Sequence, residues 1–269
     1  NPDSFRAMVQ LTQKLHYSRF DWVLDLQGLF RSGWFTLLTG AELRAGFADA
    51  RELAAMFYNH RVSIGPIHTV DRNIALLRSL GVEARGEDMR LEISPAGKSC
   101  VENFCKKAPS RRGNFLVVVP PTTWPTKLYP VRHWRKVVSA LSERIEIVLA
   151  GSPSETVLCN EIAEGMKKNV LNLSGKTTVD EFVGLISASA GVICCDSAAK
   201  FIAPAVGVDC VTLIGPTQVQ RTGPYLKGRA IIGEVPCQGC LKRRCSHVTC
   251  MQMIDPDDVV RAAEKMLSK

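Results

Sequence analysis

The chain has 269 residues, of which 46% are apolar and 22% are charged, and its formal net charge is +8. This length suggests about two domains, and the apolar content excludes a disordered chain. The positive charge favours anionic partners: nucleotides, phosphorylated glycolipids, acidic membrane surfaces or nucleic acid. No apolar run reaches the roughly 18 residues of a transmembrane helix. The first residues show neither the basic start nor the apolar core of a secretory signal, so a cytoplasmic protein is expected.

The first part of the chain mixes helical periodicity with short apolar runs typical of strands. The predicted helices cover residues 4–16, 30–39 and 70–80, and the predicted strands cover residues 20–26 and 89–93. Residues 94–114 are rich in proline, glycine, lysine and arginine. This composition predicts a short helix followed by a basic connection between domains.

From residue 115 onward, strands and helices alternate regularly. The predicted strands are 115–120, 145–151, 170–173, 191–196, 210–215 and 229–232, and the predicted helices are 133–143, 154–167, 179–188, 197–205 and 256–267. Several of these strands are continuous apolar runs, as in sheets covered on both faces. The alternation predicts an α/β fold with a doubly wound parallel sheet.

Ligands of such sheets bind at the carboxyl ends of the strands, where this chain carries polar loops. Thr122, Thr123 and Lys127 follow the first of these strands. Two hydroxyl donors and a lysine suit a diphosphate, although a plain surface loop has the same composition. Glu155 follows the second strand and could bind ribose hydroxyls or cap a helix.

The strand at 191–196 ends in Asp196 and Ser197 at the start of a predicted helix. The amides there could bind a phosphate, or Asp196 could cap the helix. A G-x-G-x-x-G fingerprint, a Walker loop and a serine-nucleophile elbow are absent from the sequence, which argues against NAD-binding, P-loop and serine-hydrolase functions.

Several motifs together resemble one known family. They are DLQGLFRS (25–32), GAELRAGF (40–47), TTWPTK (122–127), AGSPSE (150–155), LSG (173–175), CDSAAKFIAPAVG (195–207), LIGPTQ (213–218) and CMQMIDPDDVV (250–260). Their order and spacing resemble the ADP-heptose:lipopolysaccharide heptosyltransferases of glycosyltransferase family 9.

The resemblance implies a GT-B fold with two Rossmann-like domains. Residues 1–110 would form the acceptor-side domain, truncated at its start, and residues 111–269 the nucleotide-sugar domain. The implied reaction is inverting transfer of heptose from ADP-heptose to the lipopolysaccharide inner core, with no cofactor required. It implies a bacterial protein in the cytoplasm or on the inner face of the cytoplasmic membrane, touching anionic lipid but no nucleic acid.

The resemblance also implies roles for individual residues. The donor would contact Thr122, Thr123, Lys127, Glu155, Leu173, Ser174, Asp196, Ser197 and Ala198, and the acceptor side would include Gln27, Gly28 and Arg31. Lys127 would also be catalytic, because its charge would stabilise the departing ADP. The family's aspartate general base is expected upstream of this chain, and Asp25 is not assigned that role.

The sequence departs from the family pattern at its last motif, which usually reads Asp-Ser/Thr-Gly-x-x-His. Ala198 replaces the glycine and Phe201 replaces the histidine. The methyl group of alanine could obstruct a close ligand, and phenylalanine removes a polar contact. In a milder change, Lys-x-Trp-Pro becomes Lys127-Leu128-Tyr129-Pro130.

Four of the ten cysteines cluster near the end of the chain, at Cys237, Cys240, Cys245 and Cys250. Four thiolates could form a structural zinc site, with His247 as a spare ligand. Disulfides or free thiols are the alternatives. The basic run 242–244 inside this cluster could face an anionic acceptor or membrane, or could be merely solvated.

Two other functions compete with a glycosyltransferase. A non-catalytic sugar-nucleotide-binding paralogue would account for the changes at Ala198 and Phe201. A metal-dependent nucleic-acid-binding protein would use the four-cysteine loop and the positive charge, but aromatic residues are not interleaved with the basic ones.

Overall fold

The computed structural model describes residues 2–65, 67–106, 112–166 and 169–268. The chain divides into two compact units, the first ending at Gly86 and the second beginning at Glu87. The boundary predicted at residue 110 is therefore wrong. The helix Pro95–Lys106, predicted as a short helix before the connection and assigned to the first domain, packs against the helix Val179–Ala188 of the second unit.

The first unit contains a three-stranded parallel sheet in the order β1-β2-β3. Its elements are α1 (Pro2–Tyr17), β1 (Trp22–Asp25), α2 (Phe30–Leu38), β2 (Leu43–Phe47), β3 (His60–Val62) and α3 (Thr69–Ser79). Ala45 and Phe47 of β2 are buried with Leu76 of α3 in its core. The sequence did not predict β2 or β3, because both are short and interrupted by arginine or glycine.

The second unit is built on a six-stranded parallel sheet in the order β6-β5-β4-β7-β8-β9. Its strands are β4 (Phe115–Val119), β5 (Glu146–Leu149), β6 (Val170–Asn172), β7 (Gly191–Cys195), β8 (Cys210–Ile214) and β9 (Gly228–Ile232). Its helices are α4 (Pro95–Lys106), α5 (Val131–Ser142), α6 (Thr156–Ala163), α7 (Val179–Ala188), α8 (Ala199–Ala205), α9 (Val219–Thr222), α10 (Thr249–Gln252) and α11 (Pro256–Leu267).

Both faces of this sheet are covered, which explains its continuous apolar strands. In β4, Leu116 and Val118 belong to one core cluster, and Phe115, Val117 and Val119 belong to another. Successive side chains of a strand point to opposite faces, so a strand buried on both sides must be apolar throughout. The predicted α/β class with a doubly wound parallel sheet is therefore confirmed.

The strand order reverses between the neighbouring central strands β4 and β7, which are the first and fourth strands of this sheet along the chain. Val119 at the end of β4 is in register with Cys194 of β7. The loops that leave these two strands diverge to opposite sides, and such a point opens a ligand crevice. The topology therefore places the loop after Val119 beside the loop after Cys195.

One predicted strand, Met89–Ile93, is not formed. Residues 89–94 lack regular secondary structure, and the Leu91 amide donates to the carbonyl oxygen of Ala205 at 2.9 Å. The alternating apolar pattern therefore reflects a segment that packs along the second unit without pairing into its sheet. None of the helices in the described ranges combines the length and the apolar character needed to cross a lipid bilayer.

Helices α4 and α7 approach closely at two glycines. A methyl group on Gly97 would lie 2.7 Å from the carbonyl oxygen of Asp180, and one on Gly184 would collide with the Gly97 backbone. We expect Gly184→Ala to lower the free energy of unfolding by about 1–2 kcal/mol, because the collision is with backbone atoms that cannot easily move. Overpacking costs about 1–3 kcal/mol, and the gain in helix propensity of about 1 kcal/mol offsets only part of it.

Denaturant unfolding of the purified variant measures this change. Gly65→Ala is the control, because a methyl group there meets nothing within 4 Å. An unchanged midpoint for Gly184→Ala would mean that the two helices separate at little cost.

Candidate functional site

A cavity of about 470 Å³ lies at the carboxyl edge of the six-stranded sheet. Its wall comes from the loop after β4, the loop after β5, the start of α7 and the loop after β7. The lining residues are Val119, Pro121, Thr122, Thr123, Gly151, Ser152, Pro153, Glu155, Thr177, Thr178, Val179, Phe182, Asp196, Ser197, Ala198 and Ala199. Its volume is in the range of small-molecule and cofactor sites.

Asp196 lies at the centre of a buried charge cluster beside this cavity. It is 4% exposed, and its Oδ2 atom accepts from Lys127 Nζ at 2.8 Å and from Thr217 Oγ1 at 2.6 Å. Its Oδ1 atom pairs with Lys200 Nζ. Burial alone would raise the pKa of Asp196, but the Lys200 charge and the hydrogen bonds lower it below its ordinary value. Asp196 is therefore a carboxylate held ionised by two lysines.

Lys127 does not itself line the cavity, although the sequence assigned it to the diphosphate. It ends a short 3₁₀ turn, Pro125–Lys127, and its ammonium group is paired with Asp196. Lys127 Nζ also lies 4.4 Å from the centre of the Trp124 ring. Thr126 anchors the turn by donating to the carbonyl oxygen of Lys242 at 2.8 Å. The lysine is thus fixed next to the cavity, with Asp196 between them.

The two threonines before this turn, which were predicted to contact the diphosphate, both line the cavity. Thr122 Oγ1 donates to the backbone carbonyl oxygen of Asp196 at 3.1 Å, which links the loop after β4 to the loop after β7. Thr123 is exposed at the cavity wall. Thr122 thus positions the adjacent loop, while the side chain of Thr123 faces solvent.

The structure places Glu155 in both of the positions that its sequence context suggested. It lines the cavity, and its Oε2 atom accepts from the Ser152 amide at 2.7 Å. A methyl group on Gly151 would lie 2.9 Å from Pro121 Cγ and 3.3 Å from Glu155 Oε2. The bond to Ser152 fixes the carboxylate while leaving Oε1 for a ligand hydroxyl.

Two predicted donor residues, Leu173 and Ser174, do not line the cavity. Leu173 packs against the core beneath the sheet, and Ser174 is 2% exposed, with its hydroxyl donating to Asn172 Oδ1 at 2.7 Å. The chain turns at Gly175, whose φ is +71°. After this turn, the residues that line the cavity come from the start of α7.

The start of α7 forms a part of the cavity wall that combines polar and apolar groups and that was not predicted from the sequence. Thr177, Thr178, Val179 and Phe182 line the cavity there. Thr178 caps the helix by accepting from the Glu181 amide at 3.3 Å, and Val179 is 76% exposed. The Thr-x-x-Glu capping box was a readable sign of the helix start, but not of its nearness to the cavity.

Ser197 provides an unsatisfied polar atom at the cavity. Its hydroxyl oxygen is buried, and no hydrogen-bond partner for it exists among the residues that the structure describes. Buried polar groups in native structures are nearly always paired with protein or water. The Ser197 hydroxyl is therefore available to a water molecule or to a ligand oxygen in the cavity.

The two departures from the family motif occupy different environments. Ala198 lines the cavity with right-handed helical dihedral angles (φ −61°, ψ −27°), so its backbone does not require glycine. Phe201 is not among the lining residues, and Lys200 Nζ lies 4.8 Å from its ring centre. The methyl group of Ala198 thus alters the cavity wall, whereas Phe201 packs beside the buried lysine.

The residues predicted for the acceptor side lie in the first unit, around Asp25. Asp25 is buried and accepts from the amides of Gln27 (2.9 Å) and Gly28 (3.0 Å), from Ser32 Oγ (2.7 Å) and from Tyr58 Oη (2.6 Å). Gln27 and Arg31 are exposed. Gly28 is buried with φ +64°, a conformation that favours glycine. Asp25 therefore organises the loop that carries these residues.

The four-cysteine cluster lies in a loop that contacts the site. Cys237 and Cys240 are exposed, Cys250 is buried, and all four thiols are free. Burial raises the pKa of the Cys250 thiol, and the charges of the other three thiols raise it further. Across the described ranges, no group of three or more His, Cys, Asp or Glu side chains is placed to hold a metal ion. The structure thus leaves the thiols of Cys237, Cys240, Cys245 and Cys250 unassembled, and the zinc site stays a prediction.

The same loop brings a further cation to the site. The Leu241 amide donates to the carbonyl oxygen of Pro216 at 2.7 Å, which ties the loop to the end of β8. The guanidinium carbon of Arg243 lies 4.6 Å from the centre of the Trp124 ring. Arg243 and Lys127 therefore both pack on Trp124, an arrangement favoured by cation–π attraction.

Comparison with known proteins agrees with this architecture. Lipopolysaccharide heptosyltransferase 1 of Pseudomonas aeruginosa is 28% identical over 246 residues, which cover 87% of this chain and 66% of that protein. The structure of Escherichia coli ADP-heptose lps heptosyltransferase II is 24% identical, with a TM-score of 0.73 over 96% of this chain and 80% of that chain. The structure of E. coli heptosyltransferase WaaC with ADP is 23% identical, with a TM-score of 0.71 over 95% and 75%.

These matches confirm the fold class that the motifs implied. The chain spans 66% of the length of the P. aeruginosa relative, just under two thirds. The family model of glycosyltransferase family 9 (heptosyltransferase) matches residues 8–250, which include the loops after β4, β5 and β7. The chain belongs to glycosyltransferase family 9, the heptosyltransferase family.

Proposed function

We propose that this chain carries the donor site of an inverting glycosyltransferase that transfers heptose from ADP-heptose to the inner core of lipopolysaccharide. The observation that carries the proposal is the cavity at the β4–β7 switch point, where Ser197 presents an unsatisfied buried hydroxyl beside the Asp196–Lys127 pair. A diphosphate needs hydrogen-bond donors and positive charge, and this corner of the cavity supplies both. The family's named activity gives the sugar and the acceptor.

The cavity wall suggests how the donor lies. Thr123 and Ser197 would donate to the diphosphate, and Glu155 would accept from the ribose hydroxyls. Thr122 would contact the diphosphate as a donor only by giving up its bond to the carbonyl oxygen of Asp196. The mixed surface at the start of α7 would hold the adenine, since an aromatic base favours apolar contact with a few polar groups at its edge. Ala198 would contact the phosphates or the sugar.

In the reaction, an acceptor hydroxyl would displace ADP from the anomeric carbon with inversion. Negative charge then develops on the departing diphosphate, and Lys127 would stabilise it electrostatically. Asp196 is paired with two lysines and Asp25 accepts four hydrogen bonds, so neither is assigned as the general base. No metal or other cofactor is invoked in these steps.

The acceptor side of the proposal rests on charge. The chain carries a net charge of +8, and Arg243 extends the positive surface beyond Lys127. Gln27 and Arg31, with the loop held by Gly28, would contact the acceptor. A phosphorylated lipid-linked acceptor would place the enzyme on the inner face of the cytoplasmic membrane, where anionic lipids attract basic surfaces.

Calorimetric titration with ADP, ADP-mannose, UDP and NAD tests the donor site. We expect micromolar binding of ADP and ADP-mannose and weaker binding of UDP and NAD. Lys127→Ala should weaken ADP binding at least tenfold, about 1.4 kcal/mol. Lys136→Ala is the charge-matched control, because Lys136 is exposed on α5 and does not line the cavity. A folded protein that binds no adenine nucleotide would favour a non-catalytic paralogue.

A further inference from the structure

Lys200 is a buried lysine that the proposed reaction does not use. It lies in the first turn of α8, four residues after Asp196, and is 4% exposed. Its ammonium group donates to Asp196 Oδ1 and to the carbonyl oxygen of Thr222. Lysine is almost never fully buried unless it is paired, so its position needs a reason.

The two lysines share one carboxylate, but their surroundings differ. Lys200 is as buried as Asp196, with 4% and 3% of the side chains exposed, whereas the Lys127 side chain is 14% exposed. Lys127 and Lys200 also bind different oxygen atoms of Asp196. Lys200 can therefore stay in place while Lys127 moves.

Movement of Lys127 matters because its ammonium group is bound to Asp196 and does not line the cavity. To contact a diphosphate in the cavity, Lys127 has to give up all or part of that ion pair. Removing one partner of a buried pair strands an uncompensated charge, which is strongly unfavourable. A second lysine on the same carboxylate removes this penalty.

We infer that Lys200 is a positioning residue that keeps Asp196 paired, so that Lys127 can turn to the diphosphate of a bound nucleotide. Asp196 together with both lysines carries one net positive charge, and after Lys127 turns away, Asp196 and Lys200 remain a neutral pair. This inference rests on the proposed donor site. It assigns to Lys200 an effect on nucleotide binding that acts only through the charge of Asp196.

Lys200→Met tests the inference, because methionine is also unbranched but carries no charge. We expect ADP affinity to fall at least tenfold, since Lys127 then has to stay on Asp196 or leave it unpaired. Lys227→Met is the charge control, because Lys227 is an exposed lysine that also donates to a carbonyl oxygen, that of Gly207 at 2.8 Å, but does not line the cavity. Thermal melts of each variant check folding.

Asp196→Asn separates this role from simple packing. With a neutral amide at position 196, nothing holds Lys127 back, so adding Lys200→Met should change ADP affinity less than twofold. A packing role predicts the same loss whether Lys200→Met is made alone or together with Asp196→Asn, and that result would overturn the inference. If Lys200→Met alone does not fold, Lys200→Gln takes its place in the same comparison, because glutamine is also uncharged but can still donate a hydrogen bond to the carbonyl oxygen of Thr222.

The same titrations separate the inference from the proposed function. If the unmodified protein binds no ADP, the proposed donor site fails. If it binds ADP and Lys200→Met binds equally well, the donor site stands and the role of Lys200 is wrong. A loss in Lys200→Met that disappears when Asp196→Asn is also present supports both.

Discussion

Lys127→Ala is expected to lower kcat by about 10²–10³-fold, which corresponds to about 2.7–4 kcal/mol of transition-state stabilisation. The ammonium group lies within 2.8 Å of Asp196, beside the corner of the cavity where Ser197 lacks a partner among the described residues. Charge on the departing diphosphate is larger in the transition state than in the bound donor, so the loss in kcat should exceed the loss in affinity for an intact ADP-sugar donor. ADP release with ADP-heptose and a lipopolysaccharide-core acceptor measures the rate.

Two further variants show whether the loss in kcat comes from the ammonium group of Lys127. Lys136→Ala removes an equal charge from the surface and should leave kcat within twofold. Lys127→Arg should recover only part of the rate, because a planar guanidinium group does not replace an ammonium group packed between Asp196 and Trp124. A kcat for Lys127→Ala close to that of the unmodified enzyme would show that leaving-group stabilisation comes from other residues.

Asp25→Asn is expected to destabilise the first unit by about 3 kcal/mol, because hydrogen bonds to charged groups contribute about 1.5–3 kcal/mol and an unpaired buried donor adds to the loss. Asp25 accepts two backbone and two side-chain hydrogen bonds. An amide has only one accepting oxygen, so its NH₂ group would face donors. Burial, together with the bond to Asp25, raises the pKa of Tyr58, which therefore stays protonated as a donor.

Hydrogen exchange resolved by peptide measures this effect within each unit. Peptides covering β1 and the loop to α2 should lose protection, while peptides covering β4 should not. Asp21→Asn is the control, because Asp21 is exposed just before β1, and Tyr58→Phe should give an intermediate loss. Equal protection in Asp25→Asn would mean that Asp25 is available for a role other than holding this loop.

Much of the second unit could be predicted from the sequence because its strands are buried on both faces. A run such as Phe115–Val119 has few alternatives to a central parallel strand. The helix Val179–Ala188 begins at a capping box and was predicted with its observed bounds. In the first unit, β2 and β3 carry no such run, because both strands are short and contain arginine or glycine.

The predicted site residues also differ in whether the sequence could place them at the cavity. The residues predicted to contact the donor that line one cavity are Thr122, Thr123, Glu155, Asp196, Ser197 and Ala198. They do so because loops at the carboxyl ends of neighbouring parallel strands must meet at one edge. Leu173 and Ser174 lie outside the lining of the cavity, because the chain turns at Gly175 and the residues after the turn form the wall.

The sequence by itself determined the α/β class, the family and the loops that form the cavity, because apolar runs, helix caps and motif order are local in the chain. Tertiary structure decided how the remaining charged and polar groups meet. Lys200 follows Asp196 by four residues, but Lys127 and Thr217 come from distant segments, and only folding places them on Asp196. The energy of an ion pair depends on the distance between its charges and on their burial. Neither quantity can be read from the order of the residues in the sequence.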